Sequence, residues 1–247
     1  MIYVVAWSSN TLLVFLLTFL TAMLTACASE QPFDSAKPNE SSQLGKLGTV
    51  NFPTSAQFEK VHAHFLRGVA ALHSFWYPVA LDEFREATRL EPDFMMGCWG
   101  EAMAHNHPIW GDPQETDAAR KALEKTNTPR LQPRERAWLD AVKVLYGEGD
   151  KPARDRTYSG AMEKIHRDHP DDAEAALFYA LSLLGTVHAD DPPSVETRLR
   201  AGEIAAGVYR KYPNHLGAAH YVINPYDDAE HAAMALDVAR RYASAKS

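Results

Sequence analysis

Apolar residues recur at helical spacing along most of this chain, beginning near Phe58. Ala-rich and Leu-rich amphipathic stretches follow one another, separated by short segments that contain Pro, Gly or paired Asp. Apolar positions three and four residues apart place one face of a helix on a core, whereas strands require strict alternation. The pattern predicts helices over residues 56–75, 78–91, 93–105, 115–126, 134–147, 154–168, 172–185, 194–211, 214–223 and 228–243. Because the connections are short, we expect antiparallel helix pairs and an all-α fold.

A recurring spacing links the predicted pairs. In the first pair, small residues, one aromatic and a closing proline stand at fixed offsets: Gly68, Ala80, Phe84, Ala87 and Pro92. The spacing from Ala80 to Pro92 recurs from Ala201 to Pro213. Small residues at fixed offsets are expected where stacked helices approach closely in every unit. The chain therefore resembles the tetratricopeptide-repeat family. The resemblance implies an α-α solenoid, a right-handed superhelix of stacked pairs; a globular bundle with accidental register is the alternative.

Three short segments resemble one particular group within that family. Residues 63–68, 107–110 and 217–221 are similar to segments of a group of bacterial tetratricopeptide-repeat proteins that are usually longer than this chain. The last predicted helix carries an apolar stripe, including Leu236 and Tyr242, with no following helix to cover it. We expect a truncated member of the family, with self-association through this last helix as an alternative.

The amino terminus has the pattern of a lipoprotein leader. Residues 11–23 form an uncharged apolar run of signal-peptide length, too short for a confident membrane span. The tetrapeptide Leu24-Thr25-Ala26-Cys27 follows it and resembles the bacterial lipobox. This resemblance implies a cleaved signal peptide over residues 1–26 and lipid attachment at Cys27.

Two further features of the leader affect its interpretation. No Lys or Arg precedes residue 11, which departs from the usual positive start of a signal peptide and leaves an uncleaved membrane anchor as the alternative. Ala28 and Ser29 follow the cysteine, and by family analogy the absence of Asp there indicates sorting to the outer membrane. We therefore expect an envelope lipoprotein that faces the periplasm.

Composition separates the rest of the chain into two parts. Residues 27–55 are rich in Ser, Pro, Gln, Asn and Gly, which predicts a flexible tether because such a segment buries little apolar surface. The helical repeat domain would then occupy residues 56–247. The chain carries a formal net charge of −7 without a basic run, so a nucleic-acid partner is not expected.

Sequence motifs give little support for an enzyme. Glycine-rich phosphate loops, Gly-x-Ser-x-Gly elbows and His-Glu-x-x-His helices are absent from the sequence. The two cysteines have separate explanations, Cys27 as the lipid acceptor and Cys98 as a small core residue, so no disulfide is expected. His215 stands beside a predicted helix N-cap and is interpreted as structural or incidental.

The tetratricopeptide register supplies candidate binding residues. In that family the first helix of each pair lines a concave groove that binds a protein or peptide. The residues at groove positions of this chain are His62, Phe65, Val69, His73, Trp99, Asn106, His107 and His220. We interpret them as contacts to a protein or peptide ligand, without catalytic roles.

The 11 histidines raise the alternative of a metal. Imidazoles with one carboxylate suit Zn, Cu, Fe or Ni. The candidate ligands are His73, His107, His188, His220 and Asp227. They would have to converge from separate helix pairs. A metal-binding protein or a metal-dependent enzyme is therefore the alternative to a binding scaffold.

Overall fold

The computed structural model describes residues 49–109, 114–126, 131–187 and 194–245, and it is all-helical there apart from connections and an extended amino-terminal segment. No strand occurs in these ranges. The helices are α1 (Glu59–His73), α2 (Tyr77–Leu90), α3 (Met95–Ala104), α4 (Thr116–Leu123), α5 (Pro133–Leu145), α6 (Lys151–Asp168), α7 (Ala173–Gly185), α8 (Ser194–Lys211), α9 (Leu216–Ile223) and α10 (Ala232–Ala245). A short 3-10 helix, Asn224–Tyr226, follows α9. Each predicted helix is present, with ends that differ by a few residues at most.

Side-chain caps fix the start of two central helices. The Asp150 carboxylate accepts the Ala153 N–H at 2.8 Å at the start of α6. At the start of α7, the Asp172 carboxylate accepts the N–H groups of Glu174 and Ala175 at 3.1 and 3.2 Å. Such bonds satisfy backbone donors that have no partner inside the helix. The Asp172 cap thus starts α7 within one residue of the predicted start at residue 172.

Consecutive helices pack against one another, as in an α-solenoid. The first helices of the pairs form an inner layer, in which α1 contacts α3, α3 contacts α5 and α7 contacts α9. Helix α9 also contacts α1. Because the last inner helix meets the first, the inner layer encloses a core where the family register predicts an open groove.

Three aromatic rings fill the centre of this inner layer. Trp99 of α3, Trp138 of α5 and Phe178 of α7 lie with ring centroids 5.4 Å apart in each pair, all edge to face. Aromatic pairs with this geometry contribute about 0.5–1.5 kcal/mol each beyond the burial of their area. The three rings hold the middle helices of the solenoid together.

Close helix contacts explain part of the repeat spacing. A Cβ placed on Gly68 of α1 would lie 2.6 Å from the Phe84 ring, and one on Gly100 of α3 would lie 2.2 Å from it. Phe84 of α2 therefore fits between two glycines of neighbouring inner helices. This contact explains why a small residue, Gly68, stands at the first position of the repeat spacing.

The last helix leaves part of its apolar stripe uncovered. Ala235 is buried, whereas Met234 and Leu236 are 60% and 46% exposed. Tyr242 packs on His220, with ring centroids 4.5 Å apart. None of the helices within the described ranges is long and apolar enough to cross a membrane. Cys27 and His188 lie outside those ranges.

Candidate functional site

Residues 49–58, the extended segment, run past the amino-terminal ends of the inner helices. Phe52 has no exposed surface, whereas its neighbours Asn51 and Pro53 are exposed. Alternation of this kind is expected for extended backbone, whose successive side chains point to opposite sides. Residues 49–55 were expected to belong to the flexible tether. The structure corrects that boundary, because one large aromatic side chain in a polar segment is enough to anchor it to the core.

The Phe52 ring occupies a pocket formed by three inner helices. Its centroid lies 5.1 Å from that of Phe65, 5.4 Å from that of Trp99 and 4.7 Å from that of Trp138. The guanidinium carbon of Arg134 stands 4.4 Å from the Phe52 centroid. Apolar contact and a cation-π interaction therefore hold the same ring.

Two buried carboxylates hold the backbone of the extended segment. Glu135 accepts the Ser55 N–H at 2.6 Å and the Ser55 hydroxyl at 2.7 Å, one on each oxygen. Glu91 accepts the Gln57 N–H at 3.0 Å. These two carboxylates are 2% and 7% exposed. Charge-assisted bonds from backbone N–H groups in such a setting are stronger than neutral ones.

Arg134 connects the extended segment to the start of α7. Its Nη1 donates to the Pro53 carbonyl at 3.0 Å. Its Nε and Nη2 donate to Asp172 Oδ2 at 3.0 and 2.5 Å. The carboxylate that caps α7 therefore also fixes the guanidinium beside Phe52.

The predicted groove residues divide into two groups. Phe65, Val69 and Trp99 have no exposed surface and belong to the core, which corrects their predicted groove position. The inner helices converge, so the face that was predicted to line a concave groove is buried in the core. Phe65 and Trp99 nevertheless contact the Phe52 ring, and His62 Nδ1 lies 3.0 Å from Thr54 Oγ1.

The remaining predicted contacts lie elsewhere in the fold. Asn106 is buried, and the half-buried His107 packs on Tyr77 with ring centroids 4.2 Å apart. The half-buried His220 donates from Nδ1 to the His73 carbonyl at 2.8 Å. The bond of Asn106 with Gln114 and the ring contact of His107 with Tyr77 both involve residues outside the extended segment.

The predicted metal ligands that the structure describes, His73, His107, His220 and Asp227, do not form a common cluster. Asp227 is exposed, and His107 lies against Tyr77, apart from the buried His73. His73 instead meets Glu174 and His215, and one ligand atom from each of these three side chains lies within 4.8 Å of the others. Among the described residues, this His73–Glu174–His215 cluster replaces the predicted set.

Each imidazole of the cluster contacts a different oxygen of Glu174. His73 Nε2 lies 2.7 Å from Oε2, and His215 Nε2 lies 2.9 Å from Oε1. On its other nitrogen, His73 Nδ1 lies 3.0 Å from the Tyr221 hydroxyl. His215 Nδ1 accepts the Ala218 N–H at 3.3 Å and so caps α9.

These contacts fix the protons of the cluster. Because His215 Nδ1 accepts an N–H, the ring proton of a neutral His215 sits on Nε2 and is donated to Glu174. Burial lowers the pKa of His73 although Glu174 opposes that shift. Burial alone would raise the pKa of Glu174, but the charge of His73 and the hydrogen bonds from His215 and His73 lower it to about 2. At neutral pH Glu174 is therefore a carboxylate, and it lies between the two imidazole rings.

Two backbone features allow these side chains to meet. A Cβ on Gly217 would lie 2.6 Å from the His73 ring, so α9 approaches α1 only through a glycine. Phe75 follows the end of α1 with φ 57°, a conformation that L-residues rarely adopt. This turn ends α1 directly after His73 and stacks Phe75 on His220, with ring centroids 5.4 Å apart.

A cavity of about 530 Å³ lies beside the cluster. Glu174 and His215 line it, together with Thr49, Asn51 and Pro53 of the extended segment. Asp171 and Lys211 also line it, with 3.6 Å between their charged atoms. The volume falls in the range of small-ligand sites. Comparison with protein-family models, with curated proteins and with solved structures finds no match.

Sequence reasoning missed Glu174 and interpreted His215 as structural alone. A signal for Glu174 is present, because α7 is otherwise almost uniformly apolar and all its residues from Glu174 to Leu184 are buried. A helix that is apolar on every face is buried on every face. A carboxylate on such a helix is buried as well and therefore needs a hydrogen-bonding or charged partner. The sequence does not say which histidines provide that partner.

Proposed function

We propose that this chain is a tetratricopeptide-like scaffold that binds an extended peptide segment of another protein. The observation that carries the proposal is the position of the extended segment, residues 49–58, across the ends of the inner helices. The contacts of this internal segment support the proposal, because a partner segment could make the same ones. The binding surface is the row of inner-helix ends, a different surface from the concave groove of the family.

The contacts define what such a ligand needs. Its backbone donates N–H groups to Glu135 and Glu91 and offers a carbonyl to Arg134. Its anchor is an aromatic ring in the position of Phe52. Recognition of extended peptides elsewhere combines main-chain hydrogen bonds for affinity with pockets for alternate side chains for selectivity. We infer that suitable ligands carry an aromatic residue followed three positions later by Ser or Thr.

A partner segment has to compete with residues 49–58 for the Phe52 pocket. A linked segment has an effective concentration on the order of millimolar. Binding in trans is therefore weak while Phe52 is in place and becomes measurable once its ring is removed. This dependence separates the proposal from adhesion of peptides to some other surface.

A peptide-display selection tests the proposal. The purified Phe52→Ala protein serves as bait, and the same protein with Glu135→Gln is the matched control. We expect enrichment of peptides with an aromatic residue and a hydroxyl residue three positions later, lost on the control. Selection of the same peptides by both proteins would contradict the proposed binding site.

We further propose that the scaffold is tethered at the periplasmic side of the envelope through a lipid on Cys27. The support is the leader itself, an apolar run over residues 11–23 followed by Leu24-Thr25-Ala26-Cys27. Expression in a bacterium fed radiolabelled palmitate should label the protein and place it in the membrane fraction. Cys27→Ser should abolish the label. Equal labelling of both proteins would exclude Cys27 as the lipid acceptor.

A further inference from the structure

We propose that the His73–Glu174–His215 cluster is a binding site for a divalent transition-metal ion, with Zn²⁺ as the reference case. The ligands are Nε2 of each histidine and an oxygen of the carboxylate. Two histidines with one glutamate form a known protein ligand set for zinc, and two histidines with one carboxylate also bind Fe²⁺. Its three ligands are not among the residues that contact Phe52, Ser55 and Gln57, although the extended segment lines the cavity beside Glu174 and His215.

Charge is the first argument for a cation here. Glu174 has no exposed surface, and the ion pairs that the described residues form with it involve imidazoles alone. Arg134 is engaged by Asp172, and Lys211 is paired with Asp171. Buried charges are normally paired or coordinate a metal. A divalent ion would supply positive charge beside this buried carboxylate.

Geometry is the second argument. All three ligand atoms converge within 4.8 Å without any rearrangement of the backbone. Ligand atoms at roughly 2.1 Å from a common ion stand about 3.0–3.4 Å apart. The present N···O distances of 2.7 and 2.9 Å are those of hydrogen bonds, so an ion separates the side chains by a few tenths of an ångström.

Binding requires one proton shift in each ring. Nε2 must lose its proton to coordinate, and Nδ1 then carries the ring proton, so no proton is lost overall. For His73 the new Nδ1–H points at the Tyr221 oxygen, which can accept it. For His215 it points at the Ala218 N–H, so this 3.3 Å contact is given up. Metal binding should therefore loosen the first turn of α9.

A cavity lies beside the cluster, and Asp171, Asp172, Glu174 and His215 all line it. Because Glu174 has no exposed surface and His215 is 4% exposed, an ion in the cavity reaches the ligand atoms only when the side chains around them move apart. We therefore expect the folded protein to take up zinc slowly.

The experiment uses the full purified protein, stripped with a chelator and titrated with Zn²⁺ by calorimetry. We expect one ion per chain and a higher melting temperature with zinc. Co²⁺ in its place should give visible absorption bands typical of nitrogen and oxygen ligands. Glu174→Gln and His73→Gln should lose the ion and the cobalt bands.

Two further variants keep the test decisive if the cluster variants fail to fold. Tyr221→Phe leaves all three ligands but removes the acceptor for His73, and should weaken zinc about 10- to 100-fold. His166→Ala, a half-buried histidine outside the cluster, should bind zinc like the parent protein. Zinc should also speed hydrogen exchange at the Ala218 amide.

Three results would overturn the proposal. They are the absence of stoichiometric zinc in the folded parent protein, zinc binding that Tyr221→Phe and folded Glu174→Gln leave unchanged, and stronger protection of the Ala218 amide when zinc is added. In any of these cases the cluster is a hydrogen-bonded network without a metal. None of them bears on peptide binding, since the contacts of Phe52, Ser55 and Gln57 involve other residues.

Discussion

Arg134 holds Phe52 through both its ring and its backbone neighbour. The guanidinium lies 4.4 Å from the Phe52 ring centroid, and its Nη1 donates to the carbonyl of Pro53 at 3.0 Å. The same guanidinium is fixed by Asp172, the N-cap of α7. One residue at the start of α5 thus links the extended segment to α7, the first helix of the fourth pair.

Arg134→Lys should release the extended segment without unfolding the helices. Lysine keeps the charge but lacks the planar fork that serves a carboxylate, a carbonyl and a ring together. We expect faster hydrogen exchange at the Ser55 amide and faster proteolysis within residues 49–58. Arg136→Lys, on the exposed side of α5, is the matched control. Equal exchange at Ser55 in both variants would show that Arg134 does not hold the segment.

Phe52→Ala should lower the free energy of unfolding by about 3–5 kcal/mol, the usual range for removing a buried aromatic ring. Phe58→Ala, at a ring that is 58% exposed, should change it by about 0.5 kcal/mol or less. Urea denaturation followed by circular dichroism measures both. A similar small effect of the two substitutions would mean that the extended segment contributes nothing to the core.

Gly68→Ala should destabilise the protein, whereas Gly160→Ala should stabilise it. A Cβ at Gly68 meets the Phe84 ring at 2.6 Å, and overpacking of this kind costs about 1–3 kcal/mol. At Gly160, inside α6, nothing lies within 4 Å of the added atom. Alanine there should stabilise the protein by about 0.5–1 kcal/mol, because it lowers the conformational entropy of the unfolded chain. Thermal melts of the two variants check the signs, and stabilisation by Gly68→Ala would contradict the close contact of α1 with α2.

The helical fold follows from local features of the sequence. The repeat spacing through Gly68 and Phe84 and the Asp172 cap set where helices pack and begin, and both can be seen in the sequence. Small residues at fixed offsets report close contacts between neighbours, which is why the predicted helices and their pairing are confirmed.

The site was harder to predict because it depends on contacts between distant residues. His73 and Tyr221 are 148 positions apart, and whether α9 reaches α1 depends on accumulated helix angles that no local pattern encodes. Phe52 was missed for another reason. A single aromatic in a Ser- and Pro-rich segment does not change the composition, yet its burial decides where the segment lies.

The central claim, that the ends of the inner helices bind an extended peptide, is tested most directly by fluorescence anisotropy. A labelled peptide of residues 49–58 is titrated with folded Phe52→Ala protein. We predict saturable binding in the micromolar range, weakened roughly tenfold or more when the peptide carries Phe52→Ala or the protein also carries Glu135→Gln. Failure of the peptide to bind the folded variant, or equal affinity of the two peptides, would contradict the claim.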